Sequence, residues 1–128
     1  MFFDNSVICK GKDYIKGKVE GVLCFRDEYA MRQKREDIPA IPVIFNNHKI
    51  GIESVVNCDG IIVFEDCFSD YLKELIDKLR VPCVLISRKD ASVDMVSVLV
   101  GKKLSAKEGE RVVIDGRKVM KAKVNTDV

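Results

Sequence analysis

A strand–helix–strand unit between residues 61 and 86 constrains the fold more than any other feature of the sequence. Ile61–Phe64 and Cys83–Ile86 are short apolar runs, typical of strands that are buried on both faces. Between them, Ser69–Arg80 carries an apolar stripe at helical spacing, formed by Leu72, Leu75, Ile76 and Leu79. Because a crossover of this length joins parallel strands, the segment predicts a parallel β-α-β unit.

The ends of this helix carry their own signals. Ser69 is an expected N-cap, and Asp70 lies in the first turn, where the helix dipole favours an acid. Pro82 prevents the helix from continuing. We expect Leu75 and Ile76 to be buried against the sheet.

The preceding segment extends the parallel sheet. Ile41–Phe45 is a predicted strand, and Ile50–Asn57 is a predicted short helix that follows a turn at Asn46–Lys49. Arg26–Asp37 is rich in charge of both signs and poor in apolar residues, which predicts a surface loop with at most a helical turn. The middle of the chain is therefore a predicted β-α-β-α-β sheet.

The two ends of the chain have a different pattern. Ser6–Lys10 and Lys18–Phe25 are predicted strands, joined by a turn-rich connection at Gly11–Gly17. Asp115-Gly116 is a strong hairpin signal between Arg111–Ile114 and Arg117–Val124. The expected fold is α/β, with a central parallel β-α-β sheet packed with antiparallel strands from the N- and C-terminal segments, as one domain over residues 1–128.

Composition excludes several classes of protein. The 128 residues are 47% apolar, which is enough for a folded core, and the net charge of +2 argues against a dedicated nucleic-acid binder. No apolar run reaches the length of a membrane span, and Asp4 interrupts the apolar start, so we expect neither a signal peptide nor a membrane partner. The five cysteines are odd in number, lack metal-binding spacing and are expected to be reduced thiols in a cytoplasmic protein: Cys9, Cys24, Cys58, Cys67 and Cys83.

Charge is distributed unevenly along the chain. Residues 53–79 carry seven acids against two lysines, whereas residues 101–128 carry eight bases against four acids. One interpretation is a dipolar surface that orients docking to a partner, and the other is the ordinary solvated face of each element.

The residues with chemical potential do not form a complete active site. His48 is the only histidine and lies in a predicted turn with no local partner, which favours a surface role over a catalytic base. Glu65 and Asp66 follow a buried strand at the edge where ligands bind in open α/β sheets. With Ser69 and Asp70 they form the candidate ligand site. The alternative interpretation is a polar turn that satisfies the N-terminus of the following helix. We expect no metal and no cofactor.

An ordered set of motifs resembles the mobile domain of phosphoenolpyruvate-utilising enzymes, such as phosphoenolpyruvate synthase, pyruvate phosphate dikinase and enzyme I of the sugar phosphotransferase system. The motifs are Lys16–Gly21, Asp59–Val63, Phe68–Leu72, Val81–Leu85 and Glu108–Gly116. The resemblance implies a swivelling β/β/α domain. In that family a Thr-Ser-His motif at a helix start carries the phosphoryl group. Here Asp70 stands at the histidine position, so phosphotransfer is not implied, since a carboxylate does different chemistry from an imidazole.

A second resemblance is to the small subunit of aconitase-X type hydro-lyases, on the opening Lys16–Gly21, although its Gly-Ser-Ser loop is not visible here. Three functions follow as expectations. The first is a stand-alone swivel domain that is non-catalytic or regulatory and acts with a larger protein subunit or as a homo-oligomer. The second is a hydro-lyase small subunit that shares an active site with a large subunit. The third is a small-molecule binding module.

Overall fold

The computed structural model describes residues 6–46 and 52–122. These residues form eleven strands, listed in chain order: β1 (Val7–Lys10), β2 (Lys12–Ile15), β3 (Lys18–Cys24), β4 (Ala40–Ile44), β5 (Ile61–Phe64), β6 (Cys83–Ile86), β7 (Ser92–Asp94), β8 (Val98–Val100), β9 (Ser105–Lys107), β10 (Arg111–Asp115) and β11 (Lys118–Lys121). Their helices are α1 (Asp27–Arg35), α2 (Ile52–Val56) and α3 (Asp70–Leu79), and a 3₁₀ turn covers Glu65–Cys67.

Within the described residues, one eight-stranded sheet has the order β1-β11-β10-β3-β4-β5-β6-β2. Strands β3, β4, β5 and β6 are parallel neighbours in chain order, connected through α1, α2 and α3. The hairpin β10–β11 pairs antiparallel with β3 on one side and with β1 on the other. The predicted parallel unit, the Asp115-Gly116 hairpin and its pairing with N-terminal strands are all confirmed.

The two outermost strands of this sheet are joined by a single residue. β1 and β2 stand at opposite ends of the strand order, yet only Gly11 separates Lys10 from Lys12. The Gly11 amide donates to the Arg117 carbonyl oxygen at 2.8 Å, and a Cβ on Gly11 would lie 2.0 Å from the Leu85 carbonyl oxygen. The chain therefore crosses from β11 to β6 at Gly11, and the sheet curls so that its two ends meet there.

Alternate residues of β3 show what covers each face of the sheet. Val22 and Cys24 pack with Ala30 of α1 and with Ala40 of β4. Leu23 lies between them and points the other way, into the main core, which includes Leu99 and Ala106 of a second, three-stranded sheet β7-β8-β9. Helix α1 thus covers one face of β3, and the other face belongs to the main core.

Two segments differ from the prediction. Arg26–Asp37 contains helix α1 rather than a surface loop: the helix buries only Ala30 and Gln33, so its apolar stripe is too thin to recognise. The signal that marks it is charge, since acids begin it and bases end it. Gly11–Gly17 contains strand β2, which pairs antiparallel with β6 through a contact distant in sequence.

The prediction for α3 is wrong at one residue, and two other predicted segments extend beyond the described residues. Ile76 is fully buried, but Leu75 is half-buried and lies at the margin of the core, so the expected burial of Leu75 is wrong. Only the first residue of the predicted turn at Asn46–Lys49 is among the described residues. His48 lies outside them. The end of the hairpin beyond Ala122, including Val124, is also outside them.

The cysteines are buried and free of disulfide bonds. Burial raises the pKa of the thiols of Cys9, Cys24, Cys58 and Cys83 to about 12. These thiols therefore remain protonated at neutral pH and pack as small apolar groups. Separately, none of the helices in the described part of the chain combines the length and the apolar character needed to cross a membrane.

Candidate functional site

The carboxyl ends of the four parallel strands meet at one edge of the main sheet. Phe25 and Arg26 follow β3, Phe45 and Asn46 follow β4, and Glu65 begins the 3₁₀ turn after β5. This edge is where ligands bind in open α/β sheets, and it contains all four residues of the predicted ligand site. We refer to it as the carboxyl edge.

Arg88, which follows β6, ties three of these strand ends together. Its guanidinium Nε lies 3.2 Å from Asp66 Oδ2, and Nη2 donates to the Phe45 carbonyl oxygen. Its Cζ also lies 4.2 Å from the centroid of the Phe64 ring, a cation–π contact. The Arg88 guanidinium therefore contacts a carbonyl oxygen after β4, a carboxylate after β5 and an aromatic ring at the end of β5.

The ion pair with Arg88 changes the titration of Asp66. Hydrogen bonding to the guanidinium lowers the pKa of the Asp66 carboxyl below its usual value, because the bonds favour the ionised form. The neighbouring Cys67 thiol has a raised pKa, chiefly from burial and then from the Asp66 charge. Although Arg88 Nη2 lies 3.7 Å from Cys67 Sγ, this environment disfavours the reactive thiolate.

The other candidate residues have separate partners. Glu65 Oε2 lies 3.6 Å from Lys12 Nζ, an ion pair between exposed side chains. Ser69 is the N-cap of α3, as predicted, and its hydroxyl accepts from the Leu72 amide at 3.2 Å. Asp70 is exposed in the first turn of α3. The four side chains are neighbours in sequence, but their contacts run to different elements rather than toward one shared centre.

At the other end of the carboxyl edge, a glutamate from a distant segment closes the junction between β3 and α1. Glu108 Oε2 accepts from the Phe25 amide at 2.7 Å and from the Arg26 amide at 3.1 Å. Its other oxygen lies 2.9 Å from Arg26 Nη2. A half-buried carboxylate of the chain itself thus satisfies the amides that precede the N-terminus of α1.

A groove of about 320 Å³ opens beside this junction, lined by Phe25, Arg26, Asp27, Glu28, Phe45, Asn46 and Val96. The rings of Phe25 and Phe45 meet edge to face, with centroids 5.9 Å apart. Val96 comes from the turn between β7 and β8. The groove is therefore lined by the half-buried Phe45, which rests on the buried Phe25, by a polar rim from the start of α1 and by one aliphatic wall from the small sheet.

The turn that carries Val96 is strained and exposed. Met95 has φ +52° and Val96 has φ +49°, and the Ser97 amide donates to the Asp94 carbonyl oxygen at 3.1 Å. A type I′ turn requires positive φ at both central residues and strongly favours Asn-Gly, whereas a β-branched residue there is unfavourable. Met95 is 80% exposed and Val96 60% exposed. Two apolar side chains in contact with solvent thus occupy positions that disfavour them conformationally.

The local sequence pattern indicates neither the roles of Arg88 and Glu108 nor the turn at Asp94–Ser97. Arg88 and Glu108 act on strand ends that are 22 or more residues away along the chain, for example Asp66 from Arg88. The Asp94–Ser97 turn lies between strands of three residues each, which are too short for a periodic signal.

No cluster of three or more histidine, cysteine, aspartate or glutamate side chains suited to a metal ion occurs in residues 6–46 and 52–122.

Comparison of the chain with models of known protein families finds no match, and comparison with curated proteins finds no matching sequence.

Proposed function

We propose that this protein is a non-catalytic or regulatory domain that acts by binding a larger protein subunit, and that the Met95–Val96 turn is the centre of the contact. The observation that carries the proposal is the strained turn itself. Positive φ at a non-glycine residue costs about 1–3 kcal/mol, and strain of this kind concentrates at binding sites and switches. Here it presents two large apolar side chains to solvent.

The surroundings of the turn suit a protein partner with an apolar patch. Val96 forms one wall of the groove that the half-buried Phe45 also lines, with the buried Phe25 in contact with Phe45, so the exposed turn and the groove are continuous. Aromatic residues and methionine are enriched at the cores of protein interfaces, and a polar rim such as Arg26 and Glu28 is typical around them. We expect the partner to insert an apolar side chain into the groove while it covers Met95.

The architecture favours a swivel-type domain as the finer description of the fold. Helix α1 covers one face of β3, and the other face points into the main core, which includes residues of the small sheet; this is consistent with a β/β/α layering. Asp70 begins α3, and the sequence resemblance to the phosphoenolpyruvate-utilising family would align it with that family's histidine. In this interpretation the domain keeps the scaffold and has exchanged phosphoryl transfer for partner binding.

Purification of the tagged chain from its native source under gentle conditions tests the proposal. A larger protein should co-purify in a fixed ratio, and the purified pair should re-form a complex in sedimentation experiments. Self-association of the isolated chain would instead indicate a homo-oligomer built on the same surface. A chain that stays monomeric and recovers no partner would contradict the proposal.

A small-molecule binding module is the second candidate, and the groove is the observation that favours it. Its volume of about 320 Å³ lies at the lower end of the range for ligand pockets. A thermal-shift screen with nucleotides and metabolites tests this function, with Val96→Ser as the variant that should abolish any shift. The hydro-lyase alternative depends on Ser69, whose hydroxyl caps α3. Unchanged turnover by Ser69→Ala in a reconstituted complex would contradict that alternative.

A further inference from the structure

A cleft rich in lysine lies at the opposite end of the β7–β8 hairpin from the Met95–Val96 turn. It consists of two adjoining depressions of about 370 Å³ and 170 Å³ that share Asp90 and Lys102. Lys10 and Lys103 line the first depression, and Lys89 lines the second. We call these four lysines with Asp90 the lysine cleft.

The walls of the lysine cleft are set by close backbone packing. Gly101 lies against β1 so tightly that a Cβ there would be 1.8 Å from the Ile8 carbonyl oxygen. This contact places Lys102 and Lys103 beside Lys10. Val7, which is half-buried, supplies apolar surface to the same depression, whereas Ile8 lies in the core behind it. The arrangement of the lysines thus follows from main-chain packing rather than from flexible side chains alone.

The charges of the lysine cleft are not neutralised by the chain. All four lysines are exposed, and none of them forms an ion pair with a carboxylate in the described parts of the chain. Among the described residues that line the two depressions, Asp90 is the only acid. Four like charges around one acid create a positive potential that attracts polyanions.

We propose that the lysine cleft binds an acidic segment of a protein. Lysine ammonium groups are point charges that recognise the spacing of anions, whereas tight phosphate recognition favours the bidentate guanidinium fork. The one arginine in the cleft, Arg88, is engaged by Asp66 and by the Phe45 carbonyl. Asp90 also disfavours a compact polyphosphate at the centre of the cleft. An extended peptide with spaced carboxylates can pass on either side of Asp90 and pack against Val7.

This inference goes beyond the proposed function because it concerns different residues and a different chemistry. Fluorescence anisotropy of a labelled oligoglutamate peptide with the full chain at low salt tests it. The triple variant Lys10→Gln, Lys102→Gln and Lys103→Gln should bind about tenfold more weakly, since three exposed charge pairs are lost. The matched control Lys16→Gln, Lys73→Gln and Lys78→Gln removes the same net charge elsewhere and should bind within about twofold of wild type.

Three results would overturn the inference. The first is no measurable peptide binding by the wild type, and the second is an equal loss in both triple variants, which would show a net-charge effect only. The third is tighter binding of a DNA duplex or of pyrophosphate than of the peptide, which would assign the cleft to phosphate groups. Replacement of Met95 and Val96 should leave peptide binding unchanged, which separates this surface from the proposed partner contact.

Discussion

The Glu108 carboxylate lies 2.7 Å from the backbone nitrogen of Phe25, across 83 residues of chain. The same carboxylate holds the Arg26 amide and guanidinium, so it joins the loop before β10 to the junction of β3 and α1. Its side chain is only 10% exposed, so little water is available to replace these bonds. The groove beside Phe25 therefore depends on a residue that is not part of its lining.

Glu108→Ala should destabilise the fold by about 1.5–3 kcal/mol, because charge-assisted hydrogen bonds are lost and two amides are left without an acceptor. Urea unfolding monitored by circular dichroism measures the change. Glu110→Ala, on the same loop, removes a side chain that is 32% exposed and pairs with Lys121, so it is the control and should cost less than about 1 kcal/mol. Equal losses for the two variants would contradict the role of Glu108.

The Arg88–Asp66 pair should make the free energy of unfolding depend on pH in the acid range. Because the pKa of Asp66 is lowered in the folded state, its contribution is complete above the pKa of an unfolded aspartate, about 3.9, and is lost as pH falls through the folded value. Asp66→Asn should therefore cost about 0.2–1 kcal/mol at neutral pH, since the pair is exposed, and nothing at strongly acid pH.

Urea unfolding across acid pH in the wild type, in Asp66→Asn, in Arg88→Met and in the double variant checks this dependence. In the Arg88→Met background, the effect of Asp66→Asn should shrink toward zero at every pH. An Asp66 effect that persists there at full size would show that another group lowers its pKa.

Residues at two depths of α3 should respond differently to truncation. Ile76 is fully buried against the core, so Ile76→Ala should cost about 2–5 kcal/mol. Leu75 is half-buried, so Leu75→Ala should cost distinctly less, toward the lower end of that range or below it. Thermal and urea unfolding give both values. A larger loss for Leu75 than for Ile76 would contradict the helix register.

The sequence predicted elements that carry their own periodicity and missed those that depend on distant contacts. The β5–α3–β6 unit has an apolar stripe, an N-cap and a proline stop, each visible within a few residues. Strand β2 has no such pattern, because it is held by pairing with β6 and by Tyr14, whose ring lies 4.9 Å from that of Phe68. Burial in α1 is limited to Ala30 and Gln33, so only its end charges indicate a helix.

The sequence predicted where the four candidate residues lie, but not which side chains they contact. Glu65, Asp66, Ser69 and Asp70 do lie at the carboxyl edge, because the strand-to-helix junction fixes their place. Their partners, among them Arg88 and Lys12, come from other elements and are visible only in three dimensions. The strained Met95–Val96 turn could not be predicted, because its residues are ones that such turns disfavour.

We expect no stable phosphoryl transfer from phosphoenolpyruvate to this chain. The resemblance to the phosphoenolpyruvate-utilising family would put Asp70 at the position of that family's histidine, and an aspartyl phosphate normally needs a divalent cation to offset its charge. Incubation with labelled phosphoenolpyruvate, or with acetyl phosphate and magnesium, followed by gel analysis is the measurement. Label that survives on the wild type and disappears in Asp70→Asn would contradict a non-catalytic role, and label lost only in His48→Ala would assign acceptance to that histidine.

The double substitution Met95→Asn and Val96→Gly tests the central claim most directly, because the claim requires stability and binding to change in opposite directions. Asn-Gly suits a type I′ turn, so the free energy of unfolding should rise by about 1–3 kcal/mol as the positive-φ strain is relieved. Affinity for the reconstituted partner, measured by titration calorimetry, should fall by about tenfold or more, as expected when apolar side chains at an interface centre are removed. A stabilised variant that binds the partner as tightly as the wild type would contradict the claim that this turn is the contact.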